Sequence, residues 1–145
     1  MHKMERTPKI ITIIGLVFEG ISGFVLLFFG LFFQNIEKLP GYTESLTEMT
    51  PDELEFYQFF MEIVTNIVFI MGIIILIIFI VNIYLFTHLM SGKFTEEQAH
   101  KVYLYQAIWG GINLLFNQIT GIVYLISGVQ GFNNQKDTII TREGI

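Results

Sequence analysis

Glu19 stands near the centre of IITIIGLVFEGISGFVLLFFGLFF, an apolar run over 10–33 that is long enough to cross a bilayer. An ionisable group at that depth is costly. It marks a functional position by default: a proton carrier, a contact for a cationic ligand, or a pairing group for a partner subunit. No Lys, Arg or His falls clearly inside another apolar run, so no internal counter-ion is in view and hydrocarbon favours the neutral acid. A neutral Glu19 donating to Gln106 or Asn113 is the purely structural alternative. The clearest polar pattern lies further on, where Gln106, Gly110, Asn113 and Asn117 follow i, i+4, i+7, i+11. That spacing makes one small, polar helix face in a segment otherwise built from Ile, Leu, Tyr and Trp. Amides on such a face commonly hydrogen-bond across a helix interface and hold a membrane bundle together. Thr120, Tyr124, Ser127 and Gly131 repeat nearly the same steps, and Asn66 and Asn82 are the polar points of the apolar run between, with Glu62 near its outer end.

Other chemistries lack their residues. There is no cysteine, which removes disulfides, thiolate metal sites and thiol redox steps. His2, His88 and His100 are scattered without metal-ligand spacing. No nucleotide loop, no nucleophile beside a base and no paired carboxylates on one helix face are present. The expectation is a non-enzymatic protein with no cofactor and no metal. The net charge of −5, with no basic patch, excludes a nucleic-acid partner as an expectation.

The elements that must position these residues are membrane helices. Of 145 residues, 52% are hydrophobic and 14% charged, against about 25% charged in an average soluble domain, so the chain lacks the polar surface to cover itself in water. Glu19 shares a stripe with Gly15, Ser22 and Gly30, adjoined by Gly23, which predicts that this face packs on another helix while Phe18, Phe24, Phe28 and Phe29 turn outward. A polar connection follows, with a turn at Pro40-Gly41. Thr50 then reads as an N-cap, Pro51 as the first helical residue and Glu53 as the closing member of a capping box. Nothing breaks that helix before Ser91-Gly92, so its acidic and aromatic start projects beyond the bilayer. Thr95 with Gln98 makes a second capping box.

The apolar stretch from Val102 to Val129 is long for one span. The uncharged NQITG at 117–121 is the expected hairpin, leaving a last helix from about Ile119 to Asn133 and a polar, frayed tail. The predicted fold is all-α, a four-helix transmembrane bundle with spans at 10–33, 61–88, 99–117 and 119–133, an external acidic connection at 34–60 and a tail at 134–145. Lys3, Arg6 and Lys9 before the first span, and Lys93 and Lys101 after the second, place both termini in the cytoplasm and return Lys136 and Arg142 there. The acidic connection, with Glu37, Glu44 and Glu48 among its acids, suits the outside. Trp109 and the tyrosines at 103, 105 and 124 are read as interface markers.

In layout the chain resembles the small four-span membrane proteins of unknown function found in low-GC Gram-positive bacteria. The likeness lies in the basic start RTPKIITIIGLVFEGISG, the outer loop before a long second helix, and the closing AIWGGINLLFNQITGIVYLISGVQGF. It implies four spans in the cell membrane and brings no catalytic residues. The segment FEGISG also resembles the first helix of small multidrug transporters, which carry a single carboxylate there; the long outer connection departs from their tight loops. That likeness implies proton-coupled export of organic cations by a dimer, through Glu19. The leading expectation is an accessory protein that binds a membrane-protein partner or another copy of itself within the lipid bilayer. Envelope stress, exporter assembly or bacteriocin self-protection is the expected setting.

Overall fold

Long runs of apolar residues with few breakers favour helix, which satisfies backbone N–H and C=O groups within one segment. The computed structural model describes the backbone of residues 1–143 and the side chains of residues 1–136, and within them no strand occurs. Five helices follow one another: α1 (Arg6–Gln34), α2 (Tyr42–Thr47), α3 (Pro51–Met90), α4 (Glu96–Asn113) and α5 (Gln118–Glu143), with a 3-10 turn at Ile36–Lys38. The chain divides into two compact units, one of Met1–Gly20 with Ile78–Ile145 and one of Ile21–Ile77.

Two helices, α1 and α3, are long and apolar enough to cross a membrane. The most apolar 18-residue window of α3 has a mean hydropathy of 3.1 and is only 6% buried, whereas the core helix of a water-soluble protein would be mostly buried. With 40 residues, α3 extends about 60 Å at ~1.5 Å per residue, twice a hydrocarbon core of ~30 Å.

Helix ends follow local chemistry. At the start of α3 the Thr50 backbone N–H donates to Glu53 Oε2 at 2.9 Å, and the Glu53 N–H donates to Thr50 Oγ1 at 3.3 Å. The Thr50 backbone N–H, and then its hydroxyl, hold the Glu53 carboxyl below the usual carboxylate range. A depressed folded-state pKa stabilises above the unfolded value and is lost as pH falls through the folded one. The first turn of α3 is therefore expected to fray on acidification. A loss of amide protection at Thr50 and Glu53, measured against the intrinsic exchange rate at each pH, checks this, and Glu53→Gln should lose the pH dependence. The second capping box is also formed, Thr95 with Gln98. Between these boxes α3 ends at Met90, and Gly92 just beyond it has a φ of 68° that suits the left-handed residue after a helix, with the Lys93 N–H donating to His88 O at 3.1 Å.

Three boundaries differ from the sequence expectation. The connection after α1 contains α2, which starts behind Gly41 in the left-handed conformation. The break between α4 and α5 falls at 114–117, three residues before the expected hairpin, because Asn117 Oδ1 accepts from the Thr120 N–H and so begins α5 at Gln118. Finally, α5 does not end near Asn133 but continues to Glu143. No Pro or Gly occurs in it after Asn133, and Gln135 on this extension donates to both the backbone oxygen and Oε2 of Glu96. The rest of the expected frayed tail, 144–145, and the side chain of Arg142 lie outside the described residues.

Within the unit formed by 21–77, α1 and α3 approach through small residues. A Cβ on Gly30 would stand 2.9 Å from the Phe69 Cα, and one on Gly72 would stand 2.8 Å from the Leu27 backbone nitrogen. Gly23 and Gly30 are buried, while Phe24 and Phe28 on the other side of α1 are 62% and 65% exposed. In the other unit α4 and α5 run backbone to backbone. A Cβ on Gly110 would reach 2.5 Å from the Leu125 nitrogen, and one on Gly121 would reach 2.5 Å from the Leu114 nitrogen.

Candidate functional site

Close helix approach brings polar side chains of one unit into three stacked layers. Thr12 and Glu19 are seven apart on α1, Gln106 and Trp109 three apart on α4, and Tyr124 and Ser127 three apart on α5. Each pair thus lies along one helix face.

The first layer surrounds Glu19, which is 1% exposed. Asn82 Nδ2 on α3 donates to its Oε1 at 2.7 Å, and the Trp109 indole N–H donates to its Oε2 at 3.1 Å. Tyr105 Oη donates to Asn82 Oδ1 at 2.5 Å and thereby fixes which end of the amide faces the carboxyl. Tyr105 and Trp109 are four apart on α4, so one helix face supplies both. The fully buried Tyr124 ring stands against Gly15 and edge-on to Phe86. Its hydroxyl has no hydrogen-bond partner in good geometry yet is close enough to Glu19 to sense its charge. Both carboxyl oxygens thus have neutral donors, and no basic side chain is bonded to them. The same cage can hold a protonated Glu19, because the phenol oxygen of Tyr124 is available as an acceptor.

The second layer is a directed chain. Ser127 Oγ donates its only proton to Pro8 O at 2.9 Å, so in the 2.7 Å contact between Thr12 and Ser127 the threonine must be the donor. Gln106 Nε2 in turn donates to Thr12 Oγ1 at 2.8 Å. Gln106, Thr12 and Ser127 are all fully buried. The third layer holds His2, whose Nδ1 meets Glu96 Oε2 at 2.9 Å and whose Nε2 meets the Tyr103 hydroxyl at 2.7 Å.

Of the six residues singled out from the sequence, the structure joins Glu19 and Asn82 directly and sets Gln106 in the adjoining layer. The remaining three go elsewhere. Asn113 Nδ2 donates to Trp109 O on its own helix at 2.9 Å, Asn117 caps α5, and exposed Asn66 borders a cleft in the other unit. Glu19 does not donate to Gln106 or Asn113. Gln106 is committed to Thr12, and Asn113 is held by the carbonyl four residues back. Trp109, Tyr105 and Tyr103, expected at the membrane interfaces, each spend their polar atom on a side-chain partner in this unit, and Tyr124 is fully buried. Thr12 is the member of these layers that the polar pattern left out, and the contacts of Tyr105 and Trp109 with Asn82 and Glu19 were not expected from the sequence. The signal for Thr12 was its place seven residues before Glu19.

Among the described residues no group of three His, Cys, Asp or Glu side chains could hold a metal ion. Comparison with known proteins finds no family model, no curated protein and no solved structure that matches this chain.

Proposed function

We propose that this is a multi-pass cell-membrane protein of four spans, with both termini in the cytoplasm, acting as a non-enzymatic accessory that binds another membrane component. The observation that carries the reading is the enclosure of Glu19. Both of its oxygens are taken by Asn82 and Trp109 of the same chain, so the carboxyl serves the interior of one protomer instead of a neighbour's cation. What is left for recognition is the apolar outside of the long helices, including Phe56 and Phe59 at 70% and 63% exposure on the projecting start of α3. Aromatic side chains of this kind are favoured anchors at interfaces. Weak layout likeness to small four-span proteins of Gram-positive bacteria agrees with this reading. Mild-detergent purification from the native membrane should retain a stoichiometric membrane-protein partner, and Phe56→Ala with Phe59→Ala should release it. A partner held equally well by the double variant would reject this surface.

A second reading has an observation of its own. A carboxyl with neutral donors only, ringed by Trp109, Tyr105 and Tyr124, has the composition of a site that exchanges a proton for an organic cation. Proteoliposomes would then show uptake of an organic cation driven by a proton gradient, abolished in Glu19→Gln. Flux of that kind without a copurifying partner would replace the accessory reading.

A further inference from the structure

A cleft of about 370 Å³ lies within the unit of residues 21–77, among the end of α1, the 3-10 turn, α2 and the early turns of α3. Its size is that of a small-ligand pocket, which typically runs about 300–1,000 Å³. Two carboxylates, Glu37 and Glu62, line it, and neither has a basic partner among the described residues. The adjacent Lys38 is turned to Asn35, to whose Oδ1 its Nζ donates at 3.1 Å.

Thr65 supplies an independent observation. It lines the cleft at 9% exposure, and among the described residues its hydroxyl has no hydrogen-bond partner. A helical threonine ordinarily donates to a carbonyl one turn back, so an open hydroxyl on a side chain more than nine-tenths buried beside a cleft points to a group that arrives from outside. Asn66 and Gln58 add two amides, also without partners among the described residues, and Tyr42 adds an aromatic face.

We propose that this cleft binds an alkyl ammonium or guanidinium group that carries N–H donors. Glu37 and Glu62 would neutralise it, and the Thr65 hydroxyl with the Asn66 and Gln58 carbonyls would accept its protons. Its methylene stem lies on Tyr42. A metal ion is the poorer fit, because among the described residues no three His, Cys, Asp or Glu side chains gather there to hold one. A quaternary ammonium would meet the charge and leave the hydroxyl and amide oxygens unanswered. This site involves none of the residues of the Glu19 layer and stands whichever reading of the protein's role holds.

The test is calorimetric titration of the full chain in lipid nanodiscs with two probes, spermidine and a Lys-Gly-Lys peptide. Saturable binding of either supports the proposal, and the tighter of the two identifies the source as a free polyamine or a basic side chain. Glu37→Gln with Glu62→Gln is expected to weaken binding about tenfold or more, equivalent to about 1.4 kcal/mol. Thr65→Val, which keeps the shape and removes the acceptor, is expected to weaken it about threefold. Absence of saturable binding by both probes would overturn the proposal. So would undiminished binding by the Glu37/Glu62 double variant, or tetramethylammonium binding as tightly as spermidine.

Discussion

Glu19→Ala is expected to destabilise the folded protein by about 2–3 kcal/mol, because it strands two buried donors at once. Asn82 Nδ2 and the Trp109 indole N–H would both face a methyl group in place of the carboxyl oxygens. Glu19→Gln should cost less, about 1–2 kcal/mol. Its carbonyl oxygen can accept one of the two bonds, while its amide hydrogens confront the donor of the other. Reversible unfolding in mixed micelles, titrated with a denaturing detergent, measures both. In a double-mutant cycle, Asn82→Ala combined with Glu19→Ala should show a coupling of about 1 kcal/mol or more, since the two side chains touch. If Glu19→Ala unfolds at the parent's midpoint, the carboxyl does not hold the helices together.

The larger effect belongs to a residue with no side chain. A Cβ at Gly110 would stand 2.5 Å from the Leu125 nitrogen and 2.8 Å from the Gly121 oxygen. Both are backbone atoms on the facing helix and cannot rotate aside, so the two helices must separate along their length. Gly110→Val is expected to cost about 3 kcal/mol or more and to deprive the α4–α5 pair of its close packing. Gly111 is the matched control on the same helix. A Cβ there meets nothing within 4 Å, so Gly111→Ala should be neutral or stabilising by up to about 1 kcal/mol through helix propensity. Thermal unfolding of the two alanine variants in the same detergent separates them. Equal midpoints for Gly110→Ala and Gly111→Ala would mean that the helices do not meet at Gly110.

What the sequence made legible was local or periodic. Both capping boxes follow from residues three apart, and the stripe through Gly15, Glu19, Ser22 and Gly30, adjoined by Gly23, follows from helical spacing alone; all but the half-buried Ser22 are buried. The partners of Glu19 were hidden for a physical reason. In helices that are apolar all round, hydrophobic periodicity says little about which face meets which, so the register that sets Asn82 and Trp109 against Glu19 comes from packing contacts far apart in the chain. The amide stripe misled for the related reason that spacing places residues on a face without saying what opposes them. Gln106 found Thr12, but Asn113 and Asn117 turned to backbone nearby. The break at 114–117 was displaced because Leu114, Leu115 and Phe116 are as apolar as the helices they separate. The extension of α5 was missed because a polar composition was read as a tail. Gln135, bound to Glu96, shows that such residues can be docked as firmly as apolar ones.

The bond from the Trp109 indole to Glu19 has a practical consequence. Trp109 is the sole tryptophan of the chain, so its ultraviolet emission arises from one ring that touches the buried carboxyl. Indole emission shifts with the charge and hydrogen bonding at its nitrogen. The protein therefore carries an intrinsic optical reporter of whether that acid holds a proton, readable without any label.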